Sequence, residues 1–135
     1  MDDGAMLVRT EKAPQSPRSP MTVRVHTAIG AAVVLWCGDP QEAHGTHLVE
    51  WTVDDGIVWG LNTRPAASAG SGLGQEGNRV VMRGQLRLDE AGACLRMDSS
   101  NILLDVASPI PDGVDGSWVE IRIRTDRVAL YPYQV

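Results

Sequence analysis

Five side chains able to bind a metal ion fall within fourteen residues of the chain: Cys37, Asp39, His44, His47 and Glu50. Zinc takes Cys and His readily, most often as four ligands in a tetrahedron. The C-x6-H-x2-H spacing matches no compact zinc pattern, and no fourth ligand declares itself. His44 follows a loop containing Gly-Asp-Pro and precedes Gly45, a setting that places it in solvent. Cys37, His44 and His47 are therefore secondary metal candidates, and the plainer reading is a pair of loop histidines beside a strand start. No cofactor is expected.

Nucleophile and phosphate motifs are missing. There is no G-x-S-x-G elbow and no G-x-x-x-x-G-K-[ST] loop. Gly70, Gly72 and Gly74 imitate a phosphate cradle, but no Lys accompanies them and no helix-forming stretch follows to supply a dipole. The carboxylate pairs Asp2-Asp3, Asp54-Asp55 and Asp89-Glu90 lie in a tail or in turns, where acidic residues serve geometry and solubility.

What remains is a surface. Between Arg79 and Val135 polarity alternates through VVMRGQLRL, ACLRM, NILLDV and SWVEIRIRTDRVALYPY, broken by Gly, Asp, Ser and Pro. This is the rhythm of antiparallel strands with one buried and one wet face. With Met82, Leu86, Leu95, Met97, Ile102, Leu104, Val119, Ile121, Ile123, Val128 and Leu130 turned inward, the outward set contains Arg83, Arg87, Arg96, Trp118, Arg122, Arg124, Tyr131 and Tyr133. Arg and aromatic side chains anchor protein interfaces and also hold single-stranded nucleic acid. Asp98, Asp105, Glu120 and Asp126 interleave with them, so much of that face is expected to neutralise itself.

Hairpin registers can be read from the requirement that apolar residues share a face. A loop at Asp89–Gly92 pairs Leu88 with Ala93 and Leu86 with Leu95. A turn at Ser99-Ser100 pairs Met97 with Ile102, and one at Thr125-Asp126 pairs Ile123 with Val128. In the first half, a three-residue loop at Asp54-Asp55-Gly56 pairs Val53 with Ile57, Trp51 with Trp59 and Val49 with Leu61. Thr22–His26 alternates, and Ala31–Cys37 is a continuous apolar run read as a buried strand, with Gly30 as a bulge or bend. Residues 1–20, with three prolines near their end, read as a disordered leader. Residues 21–135 read as one all-β domain with a flexible Gly/Ala/Ser loop at 65–78.

Composition narrows the function classes. Arg is used eleven times against one Lys, and Phe is absent, so the aromatic share of the core falls to four Trp and two Tyr. The Arg bias matches a GC-rich genome. A formal net charge of −5 argues against a protein whose main task is gripping duplex phosphates. Cys37 and Cys94 lie far apart without CxxC spacing, and no apolar run reaches membrane-spanning length. A cytoplasmic location with reduced thiols, and no membrane partner, is the expectation.

The strand–strand–strand–loop–strand–strand order of 79–135, with Gly84 inside the first strand and the ending GSWVEIRIRTDRVALYPYQV, resembles the OB-fold, a five-stranded Greek-key barrel. The usual helix after the third strand is replaced by the loop 107–116. The expected architecture is all-β and antiparallel: an OB-like Greek-key barrel or small sandwich with an additional N-terminal β-hairpin. The expected function is a non-enzymatic binding or assembly module acting through a protein partner or homodimer, with an exposed edge strand ending in Val135 as one route. The alternatives are an OB-like single-stranded nucleic-acid-binding protein and, after it, a metal-dependent enzyme at the Cys37–Glu50 cluster.

Overall fold

The computed structural model describes residues 4–133 and is all-β, with strands β1 (Met6–Lys12), β2 (Thr22–Thr27), β3 (Gly30–Trp36), β4 (Gly45–Val53), β5 (Gly56–Ile57), β6 (Thr63–Pro65), β7 (Gly72–Glu76), β8 (Arg79–Asp89), β9 (Gly92–Met97), β10 (Ser100–Val106), β11 (Trp118–Arg124) and β12 (Val128–Pro132). Single 3-10 turns at Pro40–Glu42 and Thr125–Arg127 are the helical elements among the described residues. None of these is long and apolar enough to cross a membrane.

Five strands close into a barrel. β1 pairs with both β2 and β4, β2 pairs with β3, and β12 fills the gap, antiparallel to β4 and parallel to β3. Closure removes the strand edges that would otherwise invite foreign pairing. The inward residues include Met6, Val8, Val23, Val25, Val34, Trp36, Val49, Trp51 and Leu130, all buried. The chain between β4 and β12 forms a second sheet, in which β8 pairs with β7, β9 and β11, and β9 pairs with β10. Its buried side chains join the barrel's in one apolar cluster.

The seam between the two sheets is narrow. Gly30 lies opposite Leu73 in a one-residue parallel pairing of β3 with β7, and the Leu73 amide donates to Ile29 O at 3.0 Å. Gly30 has φ +137°, and a Cβ there would lie 1.9 Å from the Leu73 carbonyl oxygen, so only glycine fits. Beside it Gln75 stitches the sheets together. Its Oε1 accepts from the Val33 amide at 2.9 Å, while Nε2 donates to Gly77 O at 2.9 Å and Thr125 Oγ1 at 3.1 Å.

All eleven residues expected to point inward from the second half are buried. The Leu86–Leu95 and Leu88–Ala93 pairs form as expected. The next hairpin turns one residue earlier, through Asp98 with φ +53°, and pairs Met97 with Ser100 and Leu95 with Ile102. That register differs by two residues from the expected one, and an even slip keeps every side chain on its face.

Other expectations fail for reasons of topology. The barrel expected over 79–135 is instead built mainly from residues 6–53, completed by β12. The stretch expected as a disordered leader contains β1, whose Met6, Val8 and Thr10 are buried; residues 1–3 lie outside the described residues. The expected flexible loop at 65–78 contains β7, held by β8 and by Gly30. The 47–62 hairpin does not form. Trp51 pairs with Leu130 and Val53 with Val128, and Leu61 is exposed. Ile123 does not pair with Val128 either: β8 and β6 occupy both edges of β11, so the chain leaves through the 125–127 turn. The strand edge proposed to end in Val135 extends outside the described residues; its described part, β12, has neighbours on both sides.

Candidate functional site

The eight outward residues do not form one surface. Arg83 and Arg122 sit on the β8–β11 face with side chains 31% and 18% exposed, and carboxylates occupy them. Arg122 donates to Glu76 at 3.1 and 3.2 Å and to Glu120 at 2.9 Å. Arg83 lies 3.9 Å from Glu120 and donates through Nε to Gly70 O at 2.8 Å. The hydrogen bond from Arg122 and its charge hold the Glu76 carboxyl below its ordinary value. Arg124 is spent on Asp126 at 2.6 Å. This face neutralises itself, as the interleaved acids imply.

Arg87 and Arg96 lie further along β8 and β9. Trp118 is half-buried in register with Gln85, which lies opposite Arg96. Arg87, Asp89, Cys94, Arg96 and Asn101 line an open concavity of about 460 Å³. A second cleft, of about 290 Å³, lies over the barrel between the 13–21 loop and the 125–127 turn; its lining includes Ser19, Pro20, Thr22, Leu35, Arg124 and Asp126.

Tyr131 and Tyr133 are on the barrel itself. Tyr131 is exposed on β12, and the neighbouring Cys37 thiol raises its phenol above the ordinary value. The Tyr133 amide donates to Leu48 O at 2.9 Å, which places Tyr133 beside Leu48. Leu48 in turn lies opposite Leu7 of β1. The row Tyr133–Leu48–Leu7 thus runs across three neighbouring chain segments on the outer barrel wall, exposed by 37%, 50% and 63%, with Tyr131 one row away opposite Glu50. Arg9, opposite Thr46, begins the row on the other side.

Leu7 and Leu48 were not among the residues picked from the sequence. Leu7 lies in the stretch read as a leader. Leu48 is out of phase with Val49, Trp51 and Val53, and that phase is the signal that marks an apolar residue turned outward.

The metal candidates do not converge. His47 places Nε2 2.8 Å from Glu42 O and packs its ring 5.1 Å from that of Trp36. Cys37 faces Tyr131, and His44 is exposed. Among the described residues no three His, Cys, Asp or Glu side chains come together in a way that would hold an ion. No family model, curated protein or solved structure matches the chain.

Proposed function

We propose that the protein is a non-enzymatic docking module whose partner is a protein, a second copy of the chain first of all. The observation that carries this reading is the row of Leu7, Leu48 and Tyr133, with Tyr131 beside it, on the outside of a closed barrel. Large apolar side chains contiguous in register on a solvent face gain most from being covered. Aromatic anchors inside a polar rim are the usual composition of a protein interface, and here Glu50 and Arg9 supply the rim.

Self-association suits the arrangement. A two-fold axis along the row sets Leu7 on Leu7 and Leu48 on Leu48 of the other copy. The same operation brings Glu50 over Thr46 and Arg9 over Ala5, so no like charges meet. The test is the solution mass of the full chain, compared with a Leu7→Asp/Leu48→Asp variant. Association of the wild type that the variant loses supports the reading. A strictly monomeric wild type, with wild type and variant recovering the same proteins as bait, overturns it.

A second reading draws on strand order. The ring β1–β2–β3–β12–β4, with one parallel pair, is similar to the OB-fold order, with residues 54–127 inserted before the last strand. OB-folds bind oligonucleotides on their strand 2–3 face, and the 290 Å³ cleft lies there, over Thr22 and Leu35. The cleft has no aromatic lining for base stacking, and Arg124 is tied to Asp126. A salt-dependent gel shift weakened by Arg122→Ala plus Arg124→Ala would favour this reading; binding indifferent to salt would remove it.

A further inference from the structure

We propose that the outer face of β8–β9–β10 holds a binding site for a small dianion, inorganic phosphate or a phosphomonoester, between the guanidinium groups of Arg87 and Arg96. Register brings the two together. Arg87 lies opposite Cys94, Gln85 opposite Arg96, and Arg96 opposite Asn101, so the arginines are diagonal neighbours across one strand gap. Diagonal positions are within reach of each other's long side chains, and both arginines line the 460 Å³ concavity.

Their charges lack the compensation found elsewhere on the sheet. Arg83, Arg122 and Arg124 each face a carboxylate, whereas among the described residues neither Arg87 nor Arg96 takes part in an ion pair. The carboxylate on the rim, Asp89, accepts through Oδ1 from the Ala91 and Gly92 amides, so it is held in the turn. Arg96 donates one of its five N–H groups, through Nη1, to Asn101 Oδ1 at 3.2 Å, which orients the guanidinium. Two like charges held together on a folded sheet repel, and a dianion bridging them removes the repulsion while accepting forked N–H donors.

The site suits a compact ligand more than a polymer. The nearest arginines on β8 and β11, Arg83 and Arg122, are already paired with Glu120, so the positive charge at this concavity does not continue toward them as a stripe. Cys94 lies in the same concavity and serves as a reporter, with Cys37 on the barrel as its internal control.

The experiment is an amide NMR titration of the full chain at constant ionic strength. Inorganic phosphate and phosphoserine are added in separate arms, with serine, a zwitterion of zero net charge that lacks the phosphate, as the comparison. The expected result is saturable shifts centred on Arg87, Cys94, Arg96 and Asn101 below roughly 10 mM anion, weakened about tenfold or more by R87Q/R96Q. Tighter binding of phosphoserine identifies an organic phosphomonoester site, and equal binding identifies a free-oxyanion site. In the unmutated protein the same anion should slow alkylation of Cys94 by iodoacetamide and leave Cys37 unchanged. The proposal is overturned if neither anion shifts these amides, if R87Q/R96Q binds as the wild type does, or if Cys94 is not protected.

Discussion

Replacing Gly30 with alanine tests how the barrel is joined to the inserted sheet. Gly30 holds φ +137°, and a Cβ there would sit 1.9 Å from the Leu73 carbonyl oxygen, where ordinary contact begins at 3.4 Å. An alanine in that backbone region costs about 1–3 kcal/mol in strain. The collision is with backbone, so no rotamer relieves it, and β3 and β7 must separate by about 1.5 Å. That movement breaks the 3.0 Å bond from the Leu73 amide to Ile29 O, a further loss of about 1 kcal/mol. The sum is about 2–4 kcal/mol, and for a chain of this length it lowers Tm by about 10 °C. Gly74→Ala is the control, because a Cβ at that position on β7 meets nothing within 4 Å and φ is not positive; it should stay within about 0.5 kcal/mol of wild type. Thermal unfolding followed by circular dichroism reads both. Equal stability of the two variants would refute the seam as drawn.

Gln75→Leu should release the Val33 amide, which Oε1 accepts at the seam. An unsatisfied backbone donor costs about 1–3 kcal/mol, and hydrogen exchange at Val33 should accelerate while the β8–β9 amides stay protected. Gln75→Glu keeps the acceptor and should restore much of that protection. Glu76 titrates below its ordinary 4.5 because Arg122 donates to it and carries positive charge. A carboxylate whose folded pKa is depressed stabilises the fold above its unfolded pKa and loses that contribution as pH falls through the folded value. Wild type should therefore exceed Glu76→Gln in Tm at neutral pH, with the gap closing below pH 4.5. The gap should be small, because Glu76 is solvent-exposed and Glu120 still holds Arg122 at 2.9 Å.

Which parts of this molecule could be read from its sequence depended on the distance between partners. Leu86 and Leu95 sit either side of a tight turn, so the face rule alone selects their register. The residues that close the barrel are remote from each other: Leu130 finds Trp51 on one side and Trp36 on the other. Nothing local to 128–132 distinguishes that pairing from a hairpin with β11. β7 was hidden because its glycines have no side chains with which to alternate, leaving Leu73 as its buried residue. β1 was hidden because its third inward residue is Thr10, whose hydroxyl donates to Gly45 O at 3.4 Å. The arginines of β8, β9 and β11 do lie on the face opposite the core, but alternation says only which face a side chain takes. It cannot say that Glu76 on β7 reaches Arg122 while Arg87 and Arg96 face a concavity without an ion pair.

The proposed docking surface is the outer barrel wall. Sedimentation equilibrium of the intact chain across a range of concentrations, run beside Leu48→Asp, tests this most directly. A wild type that moves toward twice the chain mass while Leu48→Asp stays at one is the predicted outcome. A wild type that remains at a single chain mass throughout, indistinguishable from the variant, contradicts self-association through Leu7, Leu48 and Tyr133.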